Sequence, residues 1–380
     1  MRPALIERFP GTVALPLAGI ATLPTRVEAL PLLADEHDIH ALWTKRDDLT
    51  SPIYGGNKVR KLDFLLGDAV AKGSRAVITF GAYGSNHALA TAVHASALGL
   101  EPHVVLSPQE PGPYAKATLL AHAGLGTKLH VVEGWDGSRE GVRVRRELAG
   151  RDGVEPYVIP MGGTSALGAL GYVNAAFEIL AQEQTREIRL ASIRHGNLIP
   201  PDVVYVPGGT LGTAVGLAIG FAAGDQRTRV ETLRVTPGEV ANPEAARELT
   251  AATVALLRSV DPGFPELAFE DLALNLRDDW FEPGYGVVTP ETLAAVETAA
   301  GIGYKLETTY TGKAFAAMLA DARAGLLTHA HVLFIDTYNS APMPAPGSAE
   351  ELPPVLQEYI AECDRLFGGN VKEESEGDAE

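Results

Sequence analysis

Apolar and polar positions along this chain fall into two blocks of alternating short strands and longer helices. In the first block, apolar runs at 76–80, 103–106, 129–132 and 157–159 read as strands. Alanine-rich or amphipathic stretches at 86–98, 114–123 and 138–148 read as the helices between them. Strands alternating with helices of about a dozen residues predict βαβ units and a parallel sheet. This block reads as a small domain. A second block starts near Gly162, with strands expected at 203–206, 231–235 and 332–335 and helices at 172–182, 213–223, 243–258 and 290–300. The last two helices carry a proline at their start, where its missing N–H costs nothing. Weaker patterns at 184–201 and 261–285 predict insertions, and the charged stretch 368–380 predicts a disordered tail.

Three glycine turns punctuate this pattern. Gly208-Gly209-Thr210-Leu211-Gly212-Thr213 follows a predicted strand and opens a predicted helix. Backbone N–H groups at such a turn, with the helix dipole, suit a phosphate. A plain tight turn explains the glycines equally well. The pattern is not G-x-G-x-x-G, and it lacks the Gly-Lys-Ser/Thr ending of a nucleotide loop. Gly81-Ala82-Tyr83-Gly84-Ser85-Asn86-His87 is the second turn, where Ser85 and Asn86 can cap a helix and offer N–H groups to an anion. His87 by itself reads as a packed or surface histidine. The third, Gly55-Gly56-Asn57-Lys58, precedes a predicted helix at 59–71. A lysine near the positive end of a helix has its pKa pushed down. A neutral amine is what a Schiff base requires. A solvated surface lysine is the alternative.

Composition narrows the setting. A chain of 380 residues suits about two domains. A formal net charge of −17 argues against a nucleic-acid or anionic-membrane partner, because like charges repel. One cysteine, Cys363, leaves no intrachain disulfide and no cysteine-based metal site, which suits a reducing compartment. No run of about 18 apolar residues is present, and the N-terminal apolar stretch 13–23 is broken by Pro16. Cytoplasm is the expected location.

The segment Lys45-Arg46-Asp47-Asp48-Leu49, followed by Gly55-Gly56-Asn57-Lys58-Val59-Arg60-Lys61-Leu62, closely resembles a family of pyridoxal-phosphate (PLP) enzymes. These are the D-cysteine desulfhydrases and 1-aminocyclopropane-1-carboxylate (ACC) deaminases, of the tryptophan-synthase-β-like fold type. The resemblance recurs at 81–87, 160–172, 208–213, 307–314 and 334–340. It implies an α/β fold of two domains, each an open twisted mostly parallel sheet flanked by helices, with PLP in the cleft between them. The expected boundaries are 1–61 and 162–367 for the large domain and 62–161 for the small one. Lys58 would hold the cofactor covalently, with Lys61 the neighbour that could be confused with it. Gly208, Gly209, Thr210, Leu211, Gly212 and Thr213 would cup its phosphate. Ser85, Asn86 and His87 would take the substrate carboxylate, with Asn86 also at the cofactor's phenolic oxygen. Tyr310, in Tyr310-Thr311-Gly312-Lys313-Ala314, would face cofactor and substrate. Lys58, Ser85 and Tyr310 are then the expected catalytic residues.

Phe334-Ile335-Asp336-Thr337-Tyr338-Asn339 stands where the family has His-Thr-Gly-Gly. Thr337 would contact the pyridine nitrogen, while Tyr338 and Asn339 would narrow the pocket or add polar contacts. Thr311 replaces the glutamate that follows the tyrosine in the deaminase branch. The expected activity is β-elimination from a small amino acid, giving a 2-oxo acid and ammonia. The alternatives are ACC ring opening, or PLP binding without turnover. A cytoplasmic homodimer without nucleic-acid or membrane partners is the expected assembly.

Overall fold

A computed structural model describes residues 3–183 and 200–367. Most of the expected insertion at 184–201 and all of the expected tail at 368–380 lie outside the described residues. Two compact units emerge, Met1–Lys72 with Pro160–Pro342, and Gly73–Ile159 with Met343–Glu380.

The larger unit is built on a six-stranded sheet in the order β1 (Val27–Ala29), β2 (Ala41–Lys45), β10 (His331–Ile335), β7 (Val203–Gly208), β8 (Arg229–Arg234) and β9 (Leu274–Arg277). Only the β1–β2 pair is antiparallel. Both faces are covered. Val204, Val206, Leu333 and Ile335 pack on the side of helices Ala166–Glu183 and Gly212–Ala223. Val203, Tyr205, Val332 and Phe334 pack on the side of helices Pro290–Gly301 and Thr311–Arg323. That double burial is why the central strands read as unbroken apolar runs.

The smaller unit holds four parallel strands in the order β5 (Lys128–Val131), β4 (Glu101–Ser107), β3 (Ala76–Ala82) and β6 (Tyr157–Val158). One face packs on Ala115, Leu119, Leu356 and Ile360. The other packs on Val144 and Leu148.

Each strand read from the apolar runs is present to within about two residues. The units depart from the expected boundaries in two places. Helix Asn57–Ala71 is continuous, so the first boundary falls at its end and not at 61. The helix Pro354–Phe367 joins the smaller unit and not the larger one. Its Leu356, Ile360 and Cys363 recur at i, i+4 and i+7 and are buried, and the first two join that unit's core. The stretch expected as an insertion at 261–285 contributes β9 to the large sheet, with Leu274 and Leu276 on the core side.

Candidate active site

Lys58 sits in the first turn of helix Asn57–Ala71, as the sequence predicts. The approach to it is a loop held by backbone bonds. Gly56 N–H donates to the Asp47 carbonyl at 3.0 Å and Asn57 N–H to the Thr337 carbonyl at 3.1 Å. Gly56 has φ 93°, and a Cβ there would stand 2.9 Å from the Thr337 oxygen. Only glycine fits this left-handed, crowded position. Burial pulls the Lys58 ammonium down to about 8, opposed by the charge of Glu307. Such a lysine carries a useful fraction of free amine near neutrality.

Beneath the loop lies a buried charge network. Arg60 donates to both carboxylate oxygens of Asp47, at 2.8 and 2.7 Å, and to both of Glu178, at 3.0 and 2.9 Å. Lys45 Nζ donates to Glu178 at 2.5 Å and to the Gln182 side chain at 2.7 Å. Tyr172 donates its O–H to Asp47 at 2.6 Å. The polar run Lys45-Arg46-Asp47-Asp48 is therefore a floor under the Lys58 loop. Removing one partner would strand a buried charge.

The turn 208–213 meets the Lys58 helix. Asn57 Nδ2 donates to the Thr213 hydroxyl at 3.0 Å. Lys61 Nζ donates to the Gly162 carbonyl at 3.1 Å. A Cβ on Gly212 would lie 2.8 Å from that same amine and 2.8 Å from the Thr164 hydroxyl. Thr164 in turn bonds Thr210 at 2.6 Å, hydroxyl to hydroxyl. Leu211 takes the left-handed φ of 63°, and no side chain caps the helix that follows. Lys61 is the residue that sequence reasoning set aside. It is fully buried, and its pKa is driven well down by burial and then by Lys58. A lysine at helix spacing i+3 from Lys58 shares its face, which is the signal that could have found it. Uncapped amides, a left-handed residue and a buried amine together suit a dianion such as the cofactor's phosphate.

Tyr310 reaches the same turn, with its ring Cε1 3.3 Å from where a Gly209 Cβ would be. Its hydroxyl bonds that of Tyr285 at 2.8 Å. Burial pushes the Tyr310 pKa far up, and Tyr285 follows for the same reason, so both keep their protons. Tyr285 escaped the sequence reading because its surroundings lack periodicity. Glu307 accepts from the amides of Thr309 at 2.8 Å, Tyr310 at 2.9 Å and Thr311 at 2.7 Å. It thereby caps the start of helix Thr311–Arg323. The Thr311 hydroxyl is buried against Glu307 at 3.1 Å.

Thr337 is buried, just past β10, with its carbonyl holding Asn57. Asp336 beside it is wholly buried. Burial, then the charge of Asp48, push its pKa well up. Asn339 departs from expectation. Its side chain turns to the chain's own backbone, accepting from Gly55 N–H at 2.6 Å and Ala341 N–H at 3.0 Å. It donates to the Ala341 carbonyl at 2.8 Å. Tyr338 is buried, with the Lys305 ammonium 5.3 Å from its ring centre.

In the smaller unit, Ser85 caps helix Asn86–Ala97, its hydroxyl accepting from Ala88 N–H at 3.2 Å. Asn86 accepts a hydrogen bond from Tyr114 O–H. His87 follows in the first turn of the same helix. Its ring is buried and bonds the Thr79 hydroxyl at 2.9 Å, because helical geometry turns this position onto the sheet.

Comparison with known proteins adds the family. A family model described as pyridoxal-phosphate dependent enzyme matches residues 20–337. A D-cysteine desulfhydrase of Klebsiella pneumoniae (strain 342) is 36% identical over 324 residues, 83% of this chain and 89% of that protein. A Pyrococcus abyssi (strain GE5 / Orsay) protein provisionally named 1-aminocyclopropane-1-carboxylate deaminase is 32% identical over 338 residues, 88% of this chain and 93% of that protein. The crystal structure of an ACC deaminase homologue superposes with a TM-score of 0.75 at 29% identity, covering 96% of this chain and 100% of the other.

Proposed function

We propose that this chain, which belongs to the pyridoxal-phosphate dependent enzyme family, is a lyase that removes a β-substituent such as thiolate from a small amino acid, as a D-cysteine desulfhydrase does. The observation that carries the reading is the meeting, within one unit, of the Lys58 helix with the uncapped 208–213 turn, through Asn57 on Thr213 and Lys61 beside Gly212. A Cβ on Gly212 would collide with the Lys61 amine, so the glycine lets that amine approach the uncapped turn, and this donor set fits the cofactor's phosphate. Lys58 would hold it, and Lys61 with the amides of 208–213 would take its phosphate. When bound, pyridoxal phosphate supplies the electron sink for charge at the substrate Cα.

The protein's own groups supply the rest. The backbone amides of Asn86 and His87, at the start of helix Asn86–Ala97, would take the substrate carboxylate, with the Ser85 hydroxyl beside them. The Lys58 amine, once the substrate's amino group has displaced it, would take the Cα proton. Thiolate leaves Cβ with the C–S bonding pair and takes its proton from solvent. A hydrogen bond from the Tyr310 hydroxyl, which Tyr285 holds in place and burial keeps protonated, would stabilise the departing thiolate. Hydrolysis of the unsaturated amine that remains yields a 2-oxo acid and ammonia. The Thr337 hydroxyl can bond a neutral ring nitrogen but cannot hold a protonated one as a carboxylate would.

ACC ring opening is the second reading, favoured by the names of two of the similar proteins. Thr311 weighs against it, since its hydroxyl is buried against Glu307 and offers no acid to the site. A homodimer without nucleic-acid or membrane partners is part of the proposal, as is a cytoplasmic setting. Among the described residues, no helix is long and apolar enough to cross a membrane.

The test is a turnover screen of D-cysteine, L-cysteine, other β-substituted amino acids and ACC, with borohydride fixation of the cofactor. The expected outcome is keto-acid release from D-cysteine, little ammonia from ACC, and the label on Lys58. Lys58→Ala should stay folded and lose nearly all activity. Efficient ammonia release from ACC would overturn the main reading, and a label on Lys61 would overturn the lysine assignment.

A further inference from the structure

The loop that carries Lys58 is gripped from two strand ends at once. From the exit of β2, the Asp47 carbonyl accepts Gly56 N–H at 3.0 Å. The Thr50 hydroxyl donates to the Gly56 carbonyl at 2.8 Å. From the exit of β10, the Thr337 carbonyl accepts Asn57 N–H at 3.1 Å, and Ser340 N–H reaches back to the Asp48 carbonyl at 3.3 Å. The remaining amide of the glycine pair, Gly55 N–H, is taken by a side chain, Asn339 Oδ1, at 2.6 Å across 284 positions of sequence. Asn339 is 2% exposed, and its amide is held in one orientation by Ala341 at both its oxygen and its nitrogen. A buried amide satisfied at both ends fixes a geometry better than it adds stability.

Resting on the assignment of Lys58 to the cofactor, we infer that Asn339 is a positioning residue that clamps Gly55 and so sets where the Lys58 amine points. A glycine at this position would leave Gly55 N–H without that partner. The loop is already crowded on its other side, where a Cβ on Gly55 would meet the Asp48 carbonyl at 2.0 Å. Losing the clamp frees the segment to move away from Asp48, and the amine moves with it. Polar atoms engaged in this way are not available to a substrate, so Asn339 acts on the reaction through Lys58 and not by contact.

The experiment compares Asn339→Ala and Asn339→Asp with the unaltered protein, as full-length chains with and without pyridoxal phosphate. Hydrogen exchange of the apo-protein reads the loop. The rate of covalent cofactor capture and the absorbance of the bound cofactor read the lysine. In Asn339→Ala, exchange over 50–58 should rise about tenfold, the scale of one unpaired buried amide, while β7 and β3 stay protected. Capture should slow by a similar factor. Asn339→Asp should recover both, since its carboxyl still accepts from Gly55 and Ala341, and recovery should improve as the pH falls and the acid can donate to the Ala341 carbonyl. Unchanged exchange and capture in Asn339→Ala would overturn the inference. So would an Asp variant as impaired as the Ala variant at every pH, or loss of protection throughout the larger unit. If Asn339→Ala does not fold, the Asp variant alone decides between these outcomes. A borohydride label on another lysine, with loop exchange still raised, would overturn the cofactor assignment and leave the clamp standing.

Discussion

The turns at 81–87 and 208–213 both join a parallel strand to a helix, and they treat the start of that helix in opposite ways. In the smaller unit the chain caps itself, with the Ser85 hydroxyl on Ala88 N–H. In the larger unit no side chain caps helix Gly212–Ala223, and Leu211 is held at φ 63°. A left-handed leucine costs about 1–2 kcal/mol. Such strain persists only where the surroundings impose it, and it clusters at ligand sites. The self-capped turn is complete as it stands and can lend its amides weakly. The uncapped turn, with a buried amine beside it, is shaped for a strongly bound anion.

Breaking the uncapped turn should have the largest effect. Gly212→Ala puts a methyl against Lys61 Nζ, which is the end of a flexible side chain and can shift. The fold should survive, while cofactor affinity falls about a hundredfold in a titration of apo-protein, some 3 kcal/mol. Undiminished affinity would mean that the turn is only a turn. Lys61→Met comes next. Cofactor affinity should drop about tenfold. Apo-protein stability in urea should hold or rise, since a buried amine whose pKa is forced down resists charging. Ser85→Ala tests the other turn. Thermal unfolding should report a loss of about 1 kcal/mol from the missing cap. KM should rise several-fold with cofactor affinity unchanged, and a weaker hold on the cofactor would erase the distinction between the two turns.

The smallest effect concerns protons. Cofactor capture by apo-protein should speed up with pH around a midpoint of about 8, the Lys58 value. Glu307→Gln should move that midpoint down, because the carboxylate raises it. An unfolded lysine titrates near 10.5, so between these values the unfolded chain binds more protons. The Lys58 contribution to apo-protein stability therefore grows as pH rises across that window. The unaltered protein should gain stability relative to Lys58→Ala in the same direction, as the penalty of a buried charged amine is lifted.

The parallel sheets were legible because strands covered on both faces leave unbroken apolar runs, as in Val203–Gly208. The same logic hid β2, whose final residue is a lysine buried by its pairing with Glu178. Nothing in a linear pattern tells a buried ion pair from a solvated one. Lys58 was legible from its glycine pair and from resemblance. Lys61 carried only the signal of its i+3 spacing from Lys58, and its partner Gly162, some 100 residues away, was not legible, as Tyr310, 25 residues from Tyr285, was not for that residue. Asn339 was read as a pocket residue because local sequence cannot say that its partner is Gly55. The helix Pro354–Phe367 was not read from the sequence, and the helical spacing of its buried residues does not name the core that it joins.

That last helix bears on how the protein is made. Leu352, Leu356 and Ile360 form one wall of the core that encloses Tyr83, Val104 and Leu119. During synthesis those earlier residues are in hand long before the wall exists, while Pro160–Pro342 is still being added to the other unit. The smaller unit must wait through that interval with part of one apolar flank open, held by its strands and by the earlier helix residues such as Leu119, Val144 and Leu148, which is where a ribosome-bound chain is most exposed to aggregation. Its core closes only after the residues around 352–360 have left the exit tunnel.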